Sequence, residues 1–423
     1  MNPDVLIIGG GSAGVAAAIA AARQGADTLL VERHGCFGGA GTASLVHSFC
    51  GLYHLPQTPD AAPKVANPGL PAELERELLA QGIAHGPLRM GKVDVLMHQP
   101  QRLSLFYDQW CAQQPNLKVL LHTEVMGAAV DANRISEVTL SCRGTSWKLR
   151  PRSMVDASGD AVLAALANHP WEQTPAQELQ RPAYIVGLGD IESGSFSDDG
   201  PLKIAGCLAQ AIRDQKLPAA VAGAHFRAGT TTNEAFLTLD LVGDSPAGPF
   251  DATDARSLTW IEMQGREVTF AIVDHLRVTL AGFTNARITT LPVRAGIRES
   301  RSWIGEVVLT EEDILESRSG DQAVANATWP MELRETARGP RLLYPHEPKA
   351  CGISMGCLRA RDLRNVFIAG RCLSATHHAQ ASIRVMGTAL ATGQAAGIAA
   401  ALNPASTPAL AAQVRQVLSQ NEG

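Results

Sequence analysis

Three glycines near the start of the chain, Gly9, Gly11 and Gly14, stand at the spacing G-x-G-x-x-G, and the acidic Glu32 follows eighteen residues after the last of them. That spacing suits a dinucleotide. Gly9 permits a tight turn off a strand, and Gly11 admits a pyrophosphate close to the backbone. Gly14 lets the helix that opens at Ser12 and Ala13 lie against the strand. The helix N-terminus adds partial positive charge and free N–H groups for phosphate. Glu32, with Arg33 beside it, is placed to meet the hydroxyls of a ribose. Further along, Arg298 and Arg301 are three residues apart, so one helical turn would set them on one face. They suit either a clamp on a substrate carboxylate or ion pairs with Glu299 or Glu306. His377 and His378 offer imidazoles that titrate near neutrality, fit for general base chemistry or for plain packing.

The elements that must position these residues follow from hydropathy. Residues 4–8 form a short apolar run, 15–23 an alanine-rich helix and 28–32 a second buried strand, together one βαβ unit. No second G-x-G-x-x-G follows a buried strand. Reductases that hold two dinucleotides need two such sites, so the single site favours FAD over NAD. Residues 40–70 read as irregular, 71–81 and 97–111 as helices, and 117–121 and 123–130 as strands, with Val125 in the latter a candidate cofactor contact. A hairpin at 135–142 and 146–150, a strand at 153–157 and a helix at 161–168 complete this part. Residues 171–250 shift towards Gly, Pro, Ser and Asp, with strand-like runs at 184–188 and 235–241, and 253–280 is a long amphipathic helix. A buried strand at 365–369 and a helix at 385–401 return to the first pattern. The fold expected is α/β, a Rossmann-like FAD-binding domain with a parallel central sheet, formed by residues 1–169 and 291–423. A smaller α+β substrate domain, 170–290, is inserted in it.

Composition narrows the partners. Of 423 residues 45% are hydrophobic and 18% charged, and 36 Lys and Arg face 41 Asp and Glu without any block of like charge. A nucleic acid or an anionic membrane surface is therefore not an expected partner. The eight cysteines lack a CxxC or a zinc-ligand spacing, which points to a reducing compartment. The apolar stretch 5–22 lacks the basic start of a signal peptide, so a cytoplasmic protein is expected.

The segment Val31-Glu-Arg-His-Gly-Cys-Phe-Gly-Gly-Ala-Gly-Thr42 resembles the stretch after the second strand in FAD-dependent oxidoreductases of the glutathione-reductase and fumarate-reductase lineage. The resemblance implies that Gly38, Gly39, Ala40, Gly41 and Thr42 line the flavin. Ser153-Met-Val-Asp-Ala-Ser-Gly-Asp160 is similar to the lineage's middle motif, which places Ala157 and Gly159 near the adenine and pyrophosphate. The C-terminal runs Gly296–Arg301, Asn365–His377, Ser382–Thr388 and Gly393–Gly397 resemble the bacterial family named FAD-dependent oxidoreductase. There the strand ending Ala-Gly-Arg, here Gly370 and Arg371, and the helix near Arg384 and Gly387 close over the flavin. The match covers most of 4–45, 153–166 and 292–401. It departs in having Arg371 where the wider lineage has an acid, and Cys351-Gly-Ile-Ser354 where the family tends to carry Tyr and Pro.

The family position favours His377 over His378 as the base. Arg384 would place its charge near the flavin, there to favour the reduced form, or else meet a phosphate. His34, Cys36, His47 and Cys50 flank the flavin-lining stretch and include the candidates for a covalent tether, although non-covalent binding is the commoner case. Cys36 lacks the partner of a disulfide reductase. The reaction expected is removal of hydride from a CH–OH, CH–NH or CH–CH unit of a small metabolite, with O2 or a carrier as acceptor. A flavin monooxygenase and a non-catalytic, structural flavoprotein are the alternatives. The partners are thus a small-molecule substrate and that acceptor, with a homo-oligomer left open.

Overall fold

The computed structural model describes residues 2–197, 199–246, 248–336, 339–403 and 407–420. Strand β1 (Val5–Ile8) runs into helix α1 (Ser12–Arg23) and returns as β2 (Thr28–Val31); β3 (Leu117–Leu120) and β4 (Ser153–Asp156) follow. The chain then builds β5 (Ala183–Gly189), β6 (Ala224–Ala228), β7 (Ala235–Asp240), the long helix α2 (Ala255–Thr279), β8 (Arg287–Thr290) and the short β9 (Met331–Leu333). It comes back as β10 (Val366–Ile368), α3 (His377–Ile383) and α4 (Met386–Leu402).

The central sheet is fully parallel, in the order β10-β4-β1-β2-β3. Strands β1, β4 and β10 are buried along their whole length, which is why they read as unbroken apolar runs. Alanine-rich α1 and α4 cross at very short range. A Cβ on Gly393 or Gly397 would lie 2.1 Å from the carbonyl oxygens of Ala13 and Ala17. Small residues on both helices allow that approach, so α4 roofs α1 and fixes the glycine turn beneath it.

A second core lies around the antiparallel sheet of order β6-β7-β5-β8. Side chains alternate along these strands. Tyr184, Val186, Leu237 and Leu239 point to one face and join Ile261, Ile272 and Leu276 of α2 in that core. Ala183, Ile185, His225, Arg227, Phe236 and Thr238 share the other face, with cross-strand partners His225 and Thr238 and partners Arg227 and Phe236. That polar face is the part of the fold that matters for the site.

Several expectations change. The helix foreseen at 97–111 begins later, at Pro100–Ala112, because Met97 and His98 finish the buried strand Val93–His98. That strand pairs with Ala84–Met90 and with Ser48–Phe49 in a three-stranded sheet that hydropathy did not reveal. The amphipathic helix Gly200–Arg213 lies in a region read as irregular and strand-like. The helix expected over 385–401 is α4 alone, with α3 joined to it at a bend of 93°. Among the described residues no single helix is long and apolar enough to cross a membrane.

Candidate active site

A cavity of about 770 Å³ runs from the C-terminal ends of β1 and β2 to the polar face of the β6-β7-β5-β8 sheet. Its first end is built from backbone. Gly9 has φ +94°, and a Cβ there would meet the Ala157 carbonyl oxygen at 2.6 Å. A Cβ on Gly14 would lie 1.7 Å from the Gly9 carbonyl oxygen, so only glycine lets α1 sit on the turn. Gly11 differs, since its missing Cβ meets nothing closer than 4.0 Å. The position lines open cavity, where a pyrophosphate would pass. The N-cap Gly11 supplies no side-chain cap, leaving the first-turn amides of α1 free for phosphate oxygens.

Glu32 is held by two backbone amides, Gly10 N–H at 2.6 Å and His34 N–H at 2.8 Å. Behind β4, the buried Asp156 carboxylate accepts from Ser158 N, Leu163 N and the Trp303 indole, which fixes the wall at Ala157 and Gly159. Arg371 donates to Asp160 at 2.6 Å and to Ser300 Oγ at 3.1 Å. Burial alone would raise Asp160, yet Arg371 and Arg33 hold its carboxyl well below the usual range. The carboxylate beside Arg371 thus comes from Asp160, in the turn that follows β4. Arg294 also lines this end, and its Nε is buried without a hydrogen-bond partner. Burial and the neighbouring Arg33 and Arg371 lower it to about 10. A guanidinium with a buried, unpartnered Nε that lines the same cavity as the open first turn of α1 fits an anionic diphosphate, so the residues present suit FAD.

The far end is built from side chains. His47 is 4% exposed, stacks on Phe236 with centroids 4.1 Å apart, and sets Nδ1 3.2 Å from the Leu45 carbonyl oxygen. Its Nε2 has no partner. Burial first, then the charge of Arg227, lowers it to about 3, so it is neutral near pH 7. His225 is lowered to about 4, by burial and then by Arg334. Asp240 takes Arg298 at 2.7 Å and Arg334 at 2.6 Å; burial opposes its ionisation, but the two arginines bring it to about 2. Arg334 also holds Glu332 at 2.6 Å, and Arg384 donates to the Glu332 carbonyl at 3.0 Å while its Nε stays unpartnered.

Of the residues picked out from the sequence, Gly9, Gly11, Ser12, Ala13, Glu32, Arg33, Gly39, Ala40, Val125, Ala157, Gly159, Arg298, Gly370, Arg371 and Arg384 all line the cavity. Gly14, Gly41, Thr42 and Gly387 stand behind its wall: Thr42 Oγ1 donates to the Phe37 carbonyl and the Gly387 amide to that of Cys50.

Two of the catalytic candidates, His377 and Arg301, lie apart from the cavity lining. His377 lies off the cavity, with Nδ1 2.8 Å from Glu299 and Nε2 3.3 Å from Glu335. Burial pulls its pKa down, but Glu299 and Glu335 raise it overall, and both ring nitrogens are taken up by those two carboxylates. Arg301 begins a strand, Arg301–Trp303, and the segment before it is not helical, so it shares no face with Arg298. It donates to the Asp160 carbonyl and lies over the Trp171 ring. Arg298 does line the cavity, but its guanidinium is already committed to Asp240 and to the Arg181 carbonyl. Among the tether candidates His34, His47 and Cys50 reach the cavity and Cys36 does not.

Sequence reasoning missed Arg227, His225, Arg334, Glu332 and Arg294. The polar-apolar alternation of His225-Phe226-Arg227 was the one available signal, and it sits in a region without a motif.

Solved structures with similar folds include a geranylgeranyl bacteriochlorophyll reductase-like protein from Thermoplasma acidophilum, at 11% identity and TM-score 0.46 over 99% of this chain and 83% of that one. A flavin-dependent brominase is similar at 12% identity and TM-score 0.46, over 98% of this chain and 80% of its own. The p-nitrophenol 4-monooxygenase of Pseudomonas putida stands at 12% and 0.44, over 99% and 80%. Likenesses this distant say nothing of substrate. No curated protein matches the chain. The model of the FAD dependent oxidoreductase family matches residues 4–419, the whole span that carries both ends of the cavity, and the chain belongs to that family.

Proposed function

We propose that the protein oxidises a small metabolite by removing hydride and a proton from a CH–OH, CH–NH or CH–CH unit, with His47 taking the proton. FAD, when bound, supplies the two-electron acceptor. On this reading Gly11, Ser12, Ala13 and Arg294 hold its pyrophosphate, Glu32 its adenosine ribose, and Gly39, Ala40, Gly370 and Arg384 the flavin half. Residues 170–290 form the substrate-side unit, whose polar sheet face meets that half across the cavity.

The observation that carries the reading is His47. An Nδ1–H that donates to the Leu45 carbonyl leaves the lone pair on Nε2, which is buried, unpartnered and on a residue that lines the cavity. A neutral imidazole so held carries a free lone pair on Nε2, although burial first and then the Arg227 charge make it a weaker base than free imidazole. Arg298 and Arg334 share the Asp240 carboxylate at the same end of the cavity.

The test is anaerobic bleaching of the bound flavin by a panel of alcohols, amines and saturated acids, with wild type and His47→Ala side by side. Bleaching by one class, slowed in the variant, is the expected result. Bleaching by NADPH only when substrate is present would make the protein a monooxygenase. No bleaching by any donor would make its FAD structural.

A further inference from the structure

We propose that the far end of the cavity is a carboxylate subsite anchored by Arg227, so that the substrate is an organic anion with an apolar body. The proposal rests on the oxidation reading for what happens to the substrate, and adds its chemical class.

Charge is the first argument. Four guanidinium groups, those of Arg227, Arg298, Arg334 and Arg384, line this end. Two carboxylates answer them. Asp240 is shared by Arg298 and Arg334, and Glu332 is held by Arg334. Both histidines nearby are neutral, so they neither compensate nor compete. A concave site with such an excess attracts anions.

The second argument is the state of Arg227. Its guanidinium meets Met90 Sδ at 3.8 Å, and the described residues give it no carboxylate partner. A thioether is a weak acceptor that leaves most of the five N–H donors unspent. The side chain is half-buried on β6, and the strand's alternation sets it with His225 on the face that lines the cavity. A planar fork in that position matches a carboxylate bidentately.

The third argument is the wall around it. Val93, Val95, Ile185, Trp329, Leu342 and Tyr344 line the same cavity and offer apolar surface to the rest of the molecule. An inorganic anion would leave that surface wet, whereas a carboxylate on a hydrocarbon or aromatic body fills both parts. The arrangement also bears on His47, because the Arg227 charge is among the causes that depress it. Burial is the larger cause, and a bound carboxylate would offset only the part that Arg227 contributes.

The experiment titrates the FAD-loaded protein with carboxylates from acetate to benzoate, and with the matching alcohols from ethanol to benzyl alcohol, reading the flavin absorbance. Saturable perturbation by at least one carboxylate and by no matching alcohol is expected. Arg227→Gln should weaken that binding about ten- to a hundred-fold, the usual worth of a charged hydrogen-bonded contact. FAD retention and melting temperature should stay at wild-type values, and Arg277→Gln, on the outer surface of α2, should bind as wild type. Equal binding of acid and alcohol, no perturbation by any acid, or an undiminished Arg227→Gln would overturn the proposal. Because the readout needs no turnover, a protein that binds benzoate through Arg227 but is bleached by no donor refutes the oxidation reading alone. A protein bleached by a neutral metabolite without preference for carboxylates refutes the subsite alone.

Discussion

The two ends of the cavity are made by different means. At the dinucleotide end the working groups are main-chain amides and missing side chains: Gly9, Gly11, the first turn of α1, and amides that grip Glu32. At the other end they are long side chains, Arg227, Arg298, Arg334 and Arg384, brought from four separate segments and offset only in part by Asp240 and Glu332. A backbone-built site is specified by residues that are near one another in sequence, because a turn and a helix start are local structures. A site built from charged side chains is specified by which partner each charge finds, and those partners are distant. The first kind tolerates no added atoms, and the second tolerates no lost charge.

Substitutions can break that contrast. The largest effect is expected within the glycine motif itself. Gly14→Val should yield no folded protein, because its Cβ collides with the Gly9 carbonyl. Gly11→Val has room to fold and should purify as colourless apoprotein, since its side chain enters the pyrophosphate path. Solubility, circular dichroism and released FAD separate the two outcomes. A yellow Gly11→Val protein would mean the phosphates pass elsewhere.

Next in size is the contrast between histidines. His47→Ala should slow single-turnover flavin reduction by about two to four orders of magnitude, the usual contribution of a general base. His377→Ala should leave that rate close to wild type, because the imidazole lies off the cavity. Stopped-flow reduction with one substrate measures both, and the reverse ranking would restore His377 as the base.

Asp240→Asn sharpens the charge argument at the far end. It removes the carboxylate shared by Arg298 and Arg334 and leaves the buried Arg298 guanidinium without its acidic partner, while Arg334 keeps Glu332, which costs about 3 kcal/mol or more. Thermal unfolding should show this loss, with FAD affinity little changed. The wild-type carboxylate, depressed to about 2, contributes stability above its unfolded value near 4 that fades as pH falls from about 4 towards 2. Asp240→Asn should therefore lose less than wild type across that acid range.

The smallest effect concerns His377. Its folded pKa is raised, so its pairing stabilises fully below the unfolded value near 6.5 and is lost as pH rises through the folded value. The difference in melting temperature between wild type and His377→Gln should be greatest near pH 6 and shrink towards pH 9. A difference that stays flat over this range would show that Glu299 and Glu335 do not hold the proton there.

The chain by itself determined the parallel sheet, the glycine turn at the end of β1 and the family. Its inner strands are unbroken apolar runs because they are buried on both faces, and the glycines of that turn lie within six residues of one another. Such signals are local, and so is the physics behind them. Only the tertiary structure decided which charged residues face the cavity. His377 reads as a base beside its family motif until Glu299, 78 residues away, claims its Nδ1. Arg298 reads as a substrate clamp until Asp240, 58 residues away, takes it. Arg227 carries no motif at all, and it becomes a candidate anchor because strand alternation turns it inward where no carboxylate of the described chain meets it. The role of a charged side chain is set by the nearest opposite charge and by burial, and both are products of how distant segments pack.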